Sequence, residues 1–384
     1  MTNAVHEKSA KRMLVTDFPD LQETLKSALV RATVHQHEGQ LFEADALFRQ
    51  LVRQVPLHPL TAHSVGSFEL LKGNYDAAWD MFQHRLDLPY YTHRPFAKMD
   101  APYWTGDPMP DGHLLVFSDL GLGDAILLAR FLPWVAQRVG KISFQANDGT
   151  AAFWHRLLPD ADIRELNDSL PDCDARINMF CLPRLFCADA RSIPSAPYIA
   201  ADDTVRHEWR GRLKGQFKVG LCWQGNPEHA RDFERSIPLA AMQPLLADLD
   251  LRAAGVGFHS LQVLHGRDQI AVPPEEAEMI DLGEAIMASD DPLGASAALI
   301  AELDMVIAVD SALANLAGAM NRPFWLPTYR VPDWRWCIYP DLDPDNPQVT
   351  PWYSSARLFR CHERGKWEPV IEDMRNALKA AVAA

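Results

Sequence analysis

The sequence predicts an α/β protein in which two α/β domains face a cleft, preceded by an all-α block of helical repeats. Two observations predict the α/β part. Strand-like and helix-like segments alternate from residue 113 and again from residue 217, which indicates parallel sheets covered by helices. An apolar strand also runs into a polar turn and a helix in Leu114–Asp124 and again in Asp304–Gly318, and backbone N–H groups converge on anions at such helix starts. A repeated glycine pattern before residue 90 predicts the helical block.

The composition is that of a globular protein with a large core. The chain has 384 residues, of which 48% are hydrophobic and 23% are charged, and its formal net charge is -14. This length allows two or three domains. The acidic balance argues against nucleic-acid partners, because a nonspecific nucleic-acid surface needs a basic face. A local basic pocket for a phosphate is still compatible with it.

Targeting signals and metal motifs are not visible in the sequence. The first residues, Met1–Lys8, lack the apolar stretch of a signal peptide, and no run is long and apolar enough for a transmembrane segment. The six cysteines include no C-x-x-C pair, and no H-E-x-x-H motif occurs. We therefore expect a cytoplasmic protein with reduced thiols and no metal site.

The helical block is predicted from a repeat. Gly39–Phe48 is matched by Gly73–Phe82, and the two glycines are 34 residues apart, which is the tetratricopeptide period. Two ordinary helical hairpins are the alternative, but the matched spacing favours the repeat. Because stacked repeats usually need about three units, we expect the block to depend on the domain that follows it. The predicted helices lie at about 22–38, 41–54, 60–72 and 75–87.

The α/β part is predicted from the periodicity of its hydrophobic residues and from the residues that interrupt it. Residues 93–112 are rich in proline and aromatic residues and predict an ordered linker. The first domain has a predicted helix at 123–138, whose apolar face carries one basic residue, Arg130. Its strands are predicted at 114–118, 141–146, 162–166 and 175–180.

The second domain follows a charged connection at 200–215 and begins with the strand Phe217–Trp223. A final amphipathic helix is predicted at 366–383. The other elements are strands near 251–258, 279–282, 305–309 and 323–327, and a helix at 311–320.

Three segments carry candidate binding or catalytic residues. In the first, Gly121 and Gly123 allow a tight turn with an exposed backbone, and Asp124 opens a helix. Aspartate is a favoured residue at helix starts for purely structural reasons. A carboxylate in the crevice of a doubly wound sheet is also placed to take a proton from a hydroxyl nucleophile.

The second segment, 223–238, follows the first strand of the second domain. Its glycine and asparagine form a turn, and arginine with a hydroxyl and backbone N–H groups makes a diphosphate cradle. A charged surface loop with a serine cap explains the segment equally well. The candidate residues are Trp223, Gly225, Asn226, His229, Arg235 and Ser236.

The third segment is Asp310–Gly318. Ser311 can cap the helix, and an anion at this end would gain from N–H donors and the helix dipole. A tightly packed α/β turn would explain the small residues but not Asp310–Ser311 followed by Asn315. The aromatic residues of the last third, in Asp333–Trp336 and Pro351–Tyr353, are expected to be mostly core, with one or two lining the cleft.

Eight motifs in order resemble the tetratricopeptide-repeat glycosyltransferases of bacteria, relatives of the ADP-heptose:lipopolysaccharide heptosyltransferases of glycosyltransferase family 9. Each motif is weak alone, but their order covers nearly the whole chain. The matching segments are Gly73–Tyr75 with Trp79, Trp104–Gly106, Gly121–Asp124, Trp223–Pro227, Arg235–Pro238, Asp310–Ala319, Asp333–Trp336, and Trp352–Tyr353 with Arg357–Arg360.

The resemblance implies a GT-B fold of two Rossmann-like domains, an inverting transfer from a nucleotide-sugar donor, and no required metal or other cofactor. It implies that Asp124 is the general base, and that Arg235, Ser236, Ser311 and Gly318 lie around the donor phosphates. The implied domains are 1–92 (repeats), 93–112 (linker), 113–205 (acceptor domain), 206–345 (donor domain) and 346–384, a segment whose helix crosses back to the acceptor domain.

The chain departs from this family at three positions. Asn315 replaces the family's histidine, Ser311 replaces a threonine, and Cys361 stands where glutamine is usual. Asparagine donates a hydrogen bond but carries no charge, so this change weakens the diphosphate site or alters donor preference.

The favoured function is a glycosyltransferase whose repeats recruit a protein acceptor. One alternative is a nucleotide-sugar-binding protein that has lost turnover. The other is an adaptor in which the helical repeats do the work and the α/β part is a scaffold.

Overall fold

The computed structural model describes residues 22–55, 58–92, 94–118, 121–187, 189–229, 231–271, 278–338, 348–363 and 365–383. The chain start that was searched for a signal peptide lies outside the described residues, as do Asp119 and Leu120 of the first candidate segment. The chain divides into two compact units. One, here the helical unit, comprises 1–100, 183–192 and 330–343, and the other, the α/β unit, comprises 101–182, 193–329 and 344–384.

Regular secondary structure covers most of the described residues. The strands are β1 Met109–Phe117, β2 Val139–Ala146, β3 Asp162–Glu165, β4 Ala175–Asn178, β5 Phe217–Cys222, β6 Val256–Ser260, β7 Met279–Asp281, β8 Met305–Ala308, β9 Phe324–Tyr329, β10 Gln348–Thr350 and β11 Tyr353–Cys361. The α-helices are α1 Glu23–His37, α2 Leu41–Gln54, α3 Pro59–Leu71, α4 Tyr75–Phe82, α5 Pro89–Thr92, α6 Leu122–Leu128, α7 Leu132–Ala136, α8 Ala151–Leu157, α9 Leu182–Phe186, α10 Asp203–Arg210, α11 Asp232–Arg235, α12 Gln243–Leu246, α13 Leu249–Ala253, α14 Gly283–Met287, α15 Pro292–Glu302, α16 Ala312–Ala319 and α17 Glu368–Ala383.

The helical unit contains two helical hairpins with the same turn. At the first turn Gly39 has φ 74°, which a residue with a Cβ rarely adopts, and its N–H donates to the Gln36 carbonyl. The N–H of Gln40 donates to the carbonyl of His35, one residue before Gln36. Gly73 has φ 80°, and its N–H and that of the next residue make the equivalent two hydrogen bonds at the second turn. Helices α1 to α3 thus begin and end close to the predicted positions. Helix α4 begins as predicted but ends at Phe82, and a 3₁₀ helix, Gln83–Asp87, covers the rest of the predicted range. Their tetratricopeptide class stays a prediction.

A segment from late in the chain completes the helical unit. Residues 330–338 follow β9 and pack against the second hairpin, where the Trp334 ring meets the Trp79 ring edge-on at 5.7 Å. The N–H of Ile338 donates to the Leu71 carbonyl at 2.7 Å. The block therefore depends on a return of the chain from the second domain, which sequence adjacency alone does not predict.

The α/β unit contains two sheets with the strand order of Rossmann-like folds. The first has the order β3-β2-β1-β4 and all its pairs are parallel. The second has the order β10-β11-β9-β8-β5-β6-β7, parallel except for the pair β10–β11. The strand order reverses between β1 and β4 and between β5 and β8. In open parallel sheets ligands bind outside the carboxyl ends of the strands at such a point.

Three sequence-based element assignments were wrong in detail. The helix predicted at 123–138 is broken by a 3₁₀ turn at Ala129–Phe131, because Pro133 lacks the N–H that a continuous helix needs. The strand expected near 251–258 is partly helix α13, which begins where the Asp248 carboxylate accepts backbone N–H groups. Strand β1 begins at Met109, inside the predicted linker 93–112.

Helix α17 packs on the second sheet. Its buried residues join one hydrophobic core with the strands and helices of the second domain, and it contacts α12, α13 and β11. This packing corrects the expectation that the last helix crosses back to the first domain. The apolar face of the helix fills the second core instead. The four buried residues are Val370, Ile371, Met374 and Leu378.

We expect Trp334→Ala to lower the free energy of unfolding of the helical unit by about 3–5 kcal/mol, because it removes a buried indole and leaves a cavity. Chemical denaturation of the full chain measures this change. Phe42→Ala is the matched control, since the Phe42 side chain is 92% exposed and its loss should cost less than about 0.5 kcal/mol. Equal stability of the two variants would contradict the packing described for residues 330–338.

Candidate functional site at the carboxyl ends of two sheets

The two turns that the sequence singled out lie side by side. A Cβ added to Gly123, in the first turn of α6, would lie 3.0 Å from Asn315 Nδ2 and 3.5 Å from the Cα of Ala312, which begins α16. The α6 turn follows β1 and the α16 turn follows β8, so each lies at the point where the strand order of its sheet reverses. The starts of two helices from two sheets therefore form one site.

The first turn is held by its own aspartate. The Asp124 carboxylate accepts the Gly121 N–H at 3.1 Å, and the Asp124 N–H is 3.0 Å from the Gly121 carbonyl. Asp124 is half-buried and Gly121 is exposed. Gly121, and not Asp124, is therefore the N-cap of α6, and the carboxylate of Asp124, the third helical residue, reaches back to the cap.

The second turn presents the start of α16. Ser311 is extended, with φ -152°, and its hydroxyl accepts the Ala314 N–H at 3.5 Å. Asp310 and Ser311 are half-buried. The Cys222 thiol lies 3.8 Å from the Ser311 hydroxyl, and burial raises the pKa of this thiol to about 11. The group beneath the turn is therefore neutral at physiological pH, and the potential there comes from the N–H groups of the helix start.

Arg235 connects the loop after β5 to the turn after β8. Its guanidinium donates to the Asp310 carbonyl at 3.1 Å, to the Asn226 carbonyl at 3.3 Å, and to the buried carboxylate of Asp232 at 3.0 Å. The side chain remains 20% exposed. Since a guanidinium has five N–H donors, these three bonds leave two for a ligand.

Gly225 makes room for this arginine. A Cβ at Gly225 would lie 2.6 Å from a terminal guanidinium nitrogen of Arg235, so any side chain there would displace it. The Gly225 N–H donates to the Ser236 hydroxyl at 3.0 Å, and that hydroxyl donates to Asp232 at 2.9 Å. Asp232 therefore orients Arg235 and Ser236 together. Asp232 is not among the candidates predicted from the sequence, although a carboxylate three positions before an arginine on a short helix is a recognisable signal.

The structure separates the candidate residues into two groups. Trp223, Asn315 and Gly318 are buried, and their side chains or backbone pack against neighbouring segments. The Trp223 indole N–H donates to the Gly266 carbonyl at 3.2 Å, and a Cβ at Gly318 would lie 2.4 Å from the Tyr353 ring. The candidates with exposed or half-buried positions are Gly121, Gly123, Asp124, Gly225, Asn226, His229, Arg235, Ser236, Asp310 and Ser311.

Arg130 joins the two domains behind the site. Its side chain is 3% exposed and donates to the carbonyls of Trp352 at 2.8 Å and Pro194 at 3.1 Å. The guanidinium lies over the rings of Tyr198 and Tyr353, 5.0 Å and 4.9 Å from their centroids. The sequence showed a lone basic residue on an apolar helix face, and that was the available signal. Of the aromatic residues considered for the cleft, Trp334, Trp336 and Trp352 are buried.

Among the described residues, no group of three or more histidine, cysteine, aspartate or glutamate side chains is placed to hold a metal ion. In that same part of the chain, no helix combines the length and apolar character that crossing a bilayer requires.

The chain is similar in sequence to a curated protein. No family model matches the chain. The curated protein FlbA of Caulobacter vibrioides is 26% identical over 343 residues, which cover 82% of this chain. The match covers 54% of FlbA, so the chain spans about half the length of this relative.

The chain is also similar to solved structures. The glycosyl transferase family 9 structure from Veillonella parvula has a TM-score of 0.50 at 12% identity and covers 73% of this chain and 99% of its own. The E. coli ADP-heptose lps heptosyltransferase II has a TM-score of 0.43 at 14% identity and covers 71% of this chain and 100% of its own. The α/β part therefore has a fold like that of the Veillonella glycosyltransferase, with the parallel sheets described above.

We expect Arg130→Lys to lower the free energy of unfolding by about 2–3 kcal/mol, because a lysine cannot satisfy the carbonyls that the guanidinium reaches together. Arg138→Lys is the control. The Arg138 side chain is half-buried and bonds the Trp134 carbonyl of its own segment, so this change should stay within about 0.5 kcal/mol. Denaturation followed by tryptophan fluorescence compares them, and similar midpoints would argue against Arg130 as the link between domains.

Proposed function

We propose that this protein is a glycosyltransferase that moves a sugar from a nucleoside-diphosphate sugar to an acceptor hydroxyl. The observation that carries the proposal is the meeting of the Asp124 turn and the Ser311 turn at the carboxyl ends of two Rossmann-like sheets. A diphosphate needs positive potential and N–H donors, which the α16 start and Arg235 offer. The fold that the α/β part shares with a family 9 glycosyl transferase supports sugar transfer as the class of reaction.

The geometry suggests a role for each group. The acceptor hydroxyl attacks the anomeric carbon on the face opposite the diphosphate, and its proton passes to the Asp124 carboxylate. The bond between the anomeric carbon and the diphosphate oxygen breaks, which inverts the configuration. Arg235, Ser236 and the first N–H groups of α16 take up the charge on the departing diphosphate. Because protein groups supply this stabilisation, we propose a reaction that continues in the presence of EDTA.

The helical unit fits a role in acceptor recognition. We propose that it binds a protein acceptor in the cytoplasm, because paired helices of this kind present extended surfaces for peptide segments.

Asn315 bears on the alternative of a protein without turnover. That alternative was based on the loss of a histidine at this position. The Asn315 side chain is buried, and both ends of its amide are used inside the protein. These two hydrogen bonds account for an amide at this position, and the assays below decide between sugar transfer and binding without turnover.

The donor site is tested by Arg235→Lys. We expect the dissociation constant of the tightest-binding nucleoside diphosphate, chosen by calorimetry from ADP, GDP, UDP and CDP, to rise at least about tenfold, or about 1.4 kcal/mol. Lysine keeps the charge but cannot hold Asp232, Asp310 and Asn226 at once. Arg231→Lys on the same loop is the control, since Arg231 pairs with Glu234. Unchanged affinity in Arg235→Lys would remove this residue from the donor site.

The catalytic role is tested by Asp124→Asn. Asparagine can still accept the Gly121 N–H, so the turn is preserved while the base is lost. We expect the rate of sugar transfer or donor hydrolysis to fall about 10²–10⁴-fold, with diphosphate affinity within about twofold of wild type. Asp111→Asn, which alters an exposed carboxylate of the same domain, should have wild-type activity. Full activity in Asp124→Asn would eliminate the proposed base, and binding without any turnover by the wild type would favour a binding protein.

A further inference from the structure

We propose that Asn315 and Tyr353 are positioning residues that hold the diphosphate turn in register with the helix that carries Asp124. This inference rests on the proposed function of the same site. It assigns a task to two buried residues that do not touch the substrate.

Asn315 is bonded on both ends of its amide. Its Nδ2 donates to the Ser311 carbonyl at 2.9 Å, and its Oδ1 accepts the Tyr353 hydroxyl at 2.9 Å. The residue is 2% exposed. It therefore acts on a ligand through the Ser311 turn, whose carbonyl it holds.

Asn315 also touches the opposite turn. The position of a Cβ on Gly123 would be 3.0 Å from Asn315 Nδ2, which is tighter than most contacts, so the Asn315 amide lies directly against the Gly123 backbone. One side chain thus contacts the residue next to Asp124 and the residue that caps α16. A shift of Asn315 would change the spacing between the two turns.

Tyr353 ties this contact to the other end of α6. Its ring packs on Gly318 and lies 4.9 Å from the guanidinium of Arg130, which follows α6 by two residues. Arg130 in turn donates to the carbonyl of Trp352, the neighbour of Tyr353. Contacts therefore run from the Ser311 turn through Asn315, Tyr353 and Arg130 to the helix whose first turn holds Asp124.

This arrangement predicts different effects for the two turns when the chain of contacts is cut at Tyr353. Tyr353→Phe removes the hydroxyl that reaches Asn315 but leaves the bond from Asn315 to the Ser311 carbonyl. The diphosphate turn should keep its shape, while its register with Asp124 loosens. Since catalysis depends on placement to within about 1 Å, we expect kcat to fall about tenfold, with diphosphate affinity within about twofold of wild type.

Amide hydrogen exchange on the full chain tests the coupling without an acceptor. With the tightest nucleoside diphosphate bound, the wild type should slow exchange both in 312–319 and in 122–128. In Tyr353→Phe the protection of 312–319 should persist, and the protection of 122–128 should fall severalfold. Tyr91→Phe is the control, because it also removes a buried tyrosine hydroxyl, one bonded to Arg85 in the helical unit at 2.9 Å.

The possible outcomes separate the two proposals. If Tyr353→Phe melts earlier but keeps wild-type kcat and protects both segments, the pair is only structural and the inference is overturned. If the double variant Asn315→Ala with Tyr353→Phe loses no more activity than Asn315→Ala alone, the two residues act as one unit, as expected. Additive losses would count against it. A wild type that binds none of the nucleoside diphosphates would overturn the proposed function itself.

Discussion

A buried arginine joins the two α/β domains. The Arg130 guanidinium must remain charged, because arginine does not lose its proton in proteins. Burial lowers its pKa, but Tyr198 and Tyr353 raise it, and the net shift is upward. A charge in this position is tolerated only if hydrogen bonds satisfy it. The carbonyls of Leu127, Pro194 and Trp352 do so, and they come from three separate segments.

The segments that bond Arg130 also contact the elements that form the site. The segment after Pro194 also bonds the end of α16, since the Tyr198 N–H donates to the Ala319 carbonyl at 3.0 Å. Strand β11 starts at Tyr353 and adds to the second sheet beside β9. An ion pair between Arg156 and Asp291 adds a further contact between the domains. The turns with Asp124 and Ser311 are thus placed by contacts that lie behind them.

Glycines set how closely these parts approach. At Gly123, Gly225 and Gly318 a Cβ would meet another segment at 3.0 Å or less. The neighbours are Asn315, Arg235 and Tyr353. Asn315 and Arg235 bond the Ser311 turn, and Tyr353 packs against Arg130 in the contact between the domains. The small residues in the motifs therefore serve the packing of the site as well as its access for a ligand.

The sequence by itself determined the local structure and the candidate turns. The glycines at 39 and 73 predicted the two helical turns because positive φ is a local property of the backbone. The strand, turn and helix at Gly121–Asp124 and Asp310–Gly318 were likewise predicted, since the period and the capping residues are local signals. The prediction that both turns belong to one ligand site came only from the resemblance and from the general behaviour of parallel sheets.

Only the tertiary structure decided which of these residues face the site and what holds them. Trp223 and Asn315 stand in motifs that also contain half-buried or exposed residues, yet both are buried, because burial depends on segments far away in the chain. Residues 330–338 complete the helical unit, and α17 fills the second core, for the same reason. Such contacts join surfaces that match in shape and hydrogen bonding, and a one-dimensional pattern does not record which surfaces meet.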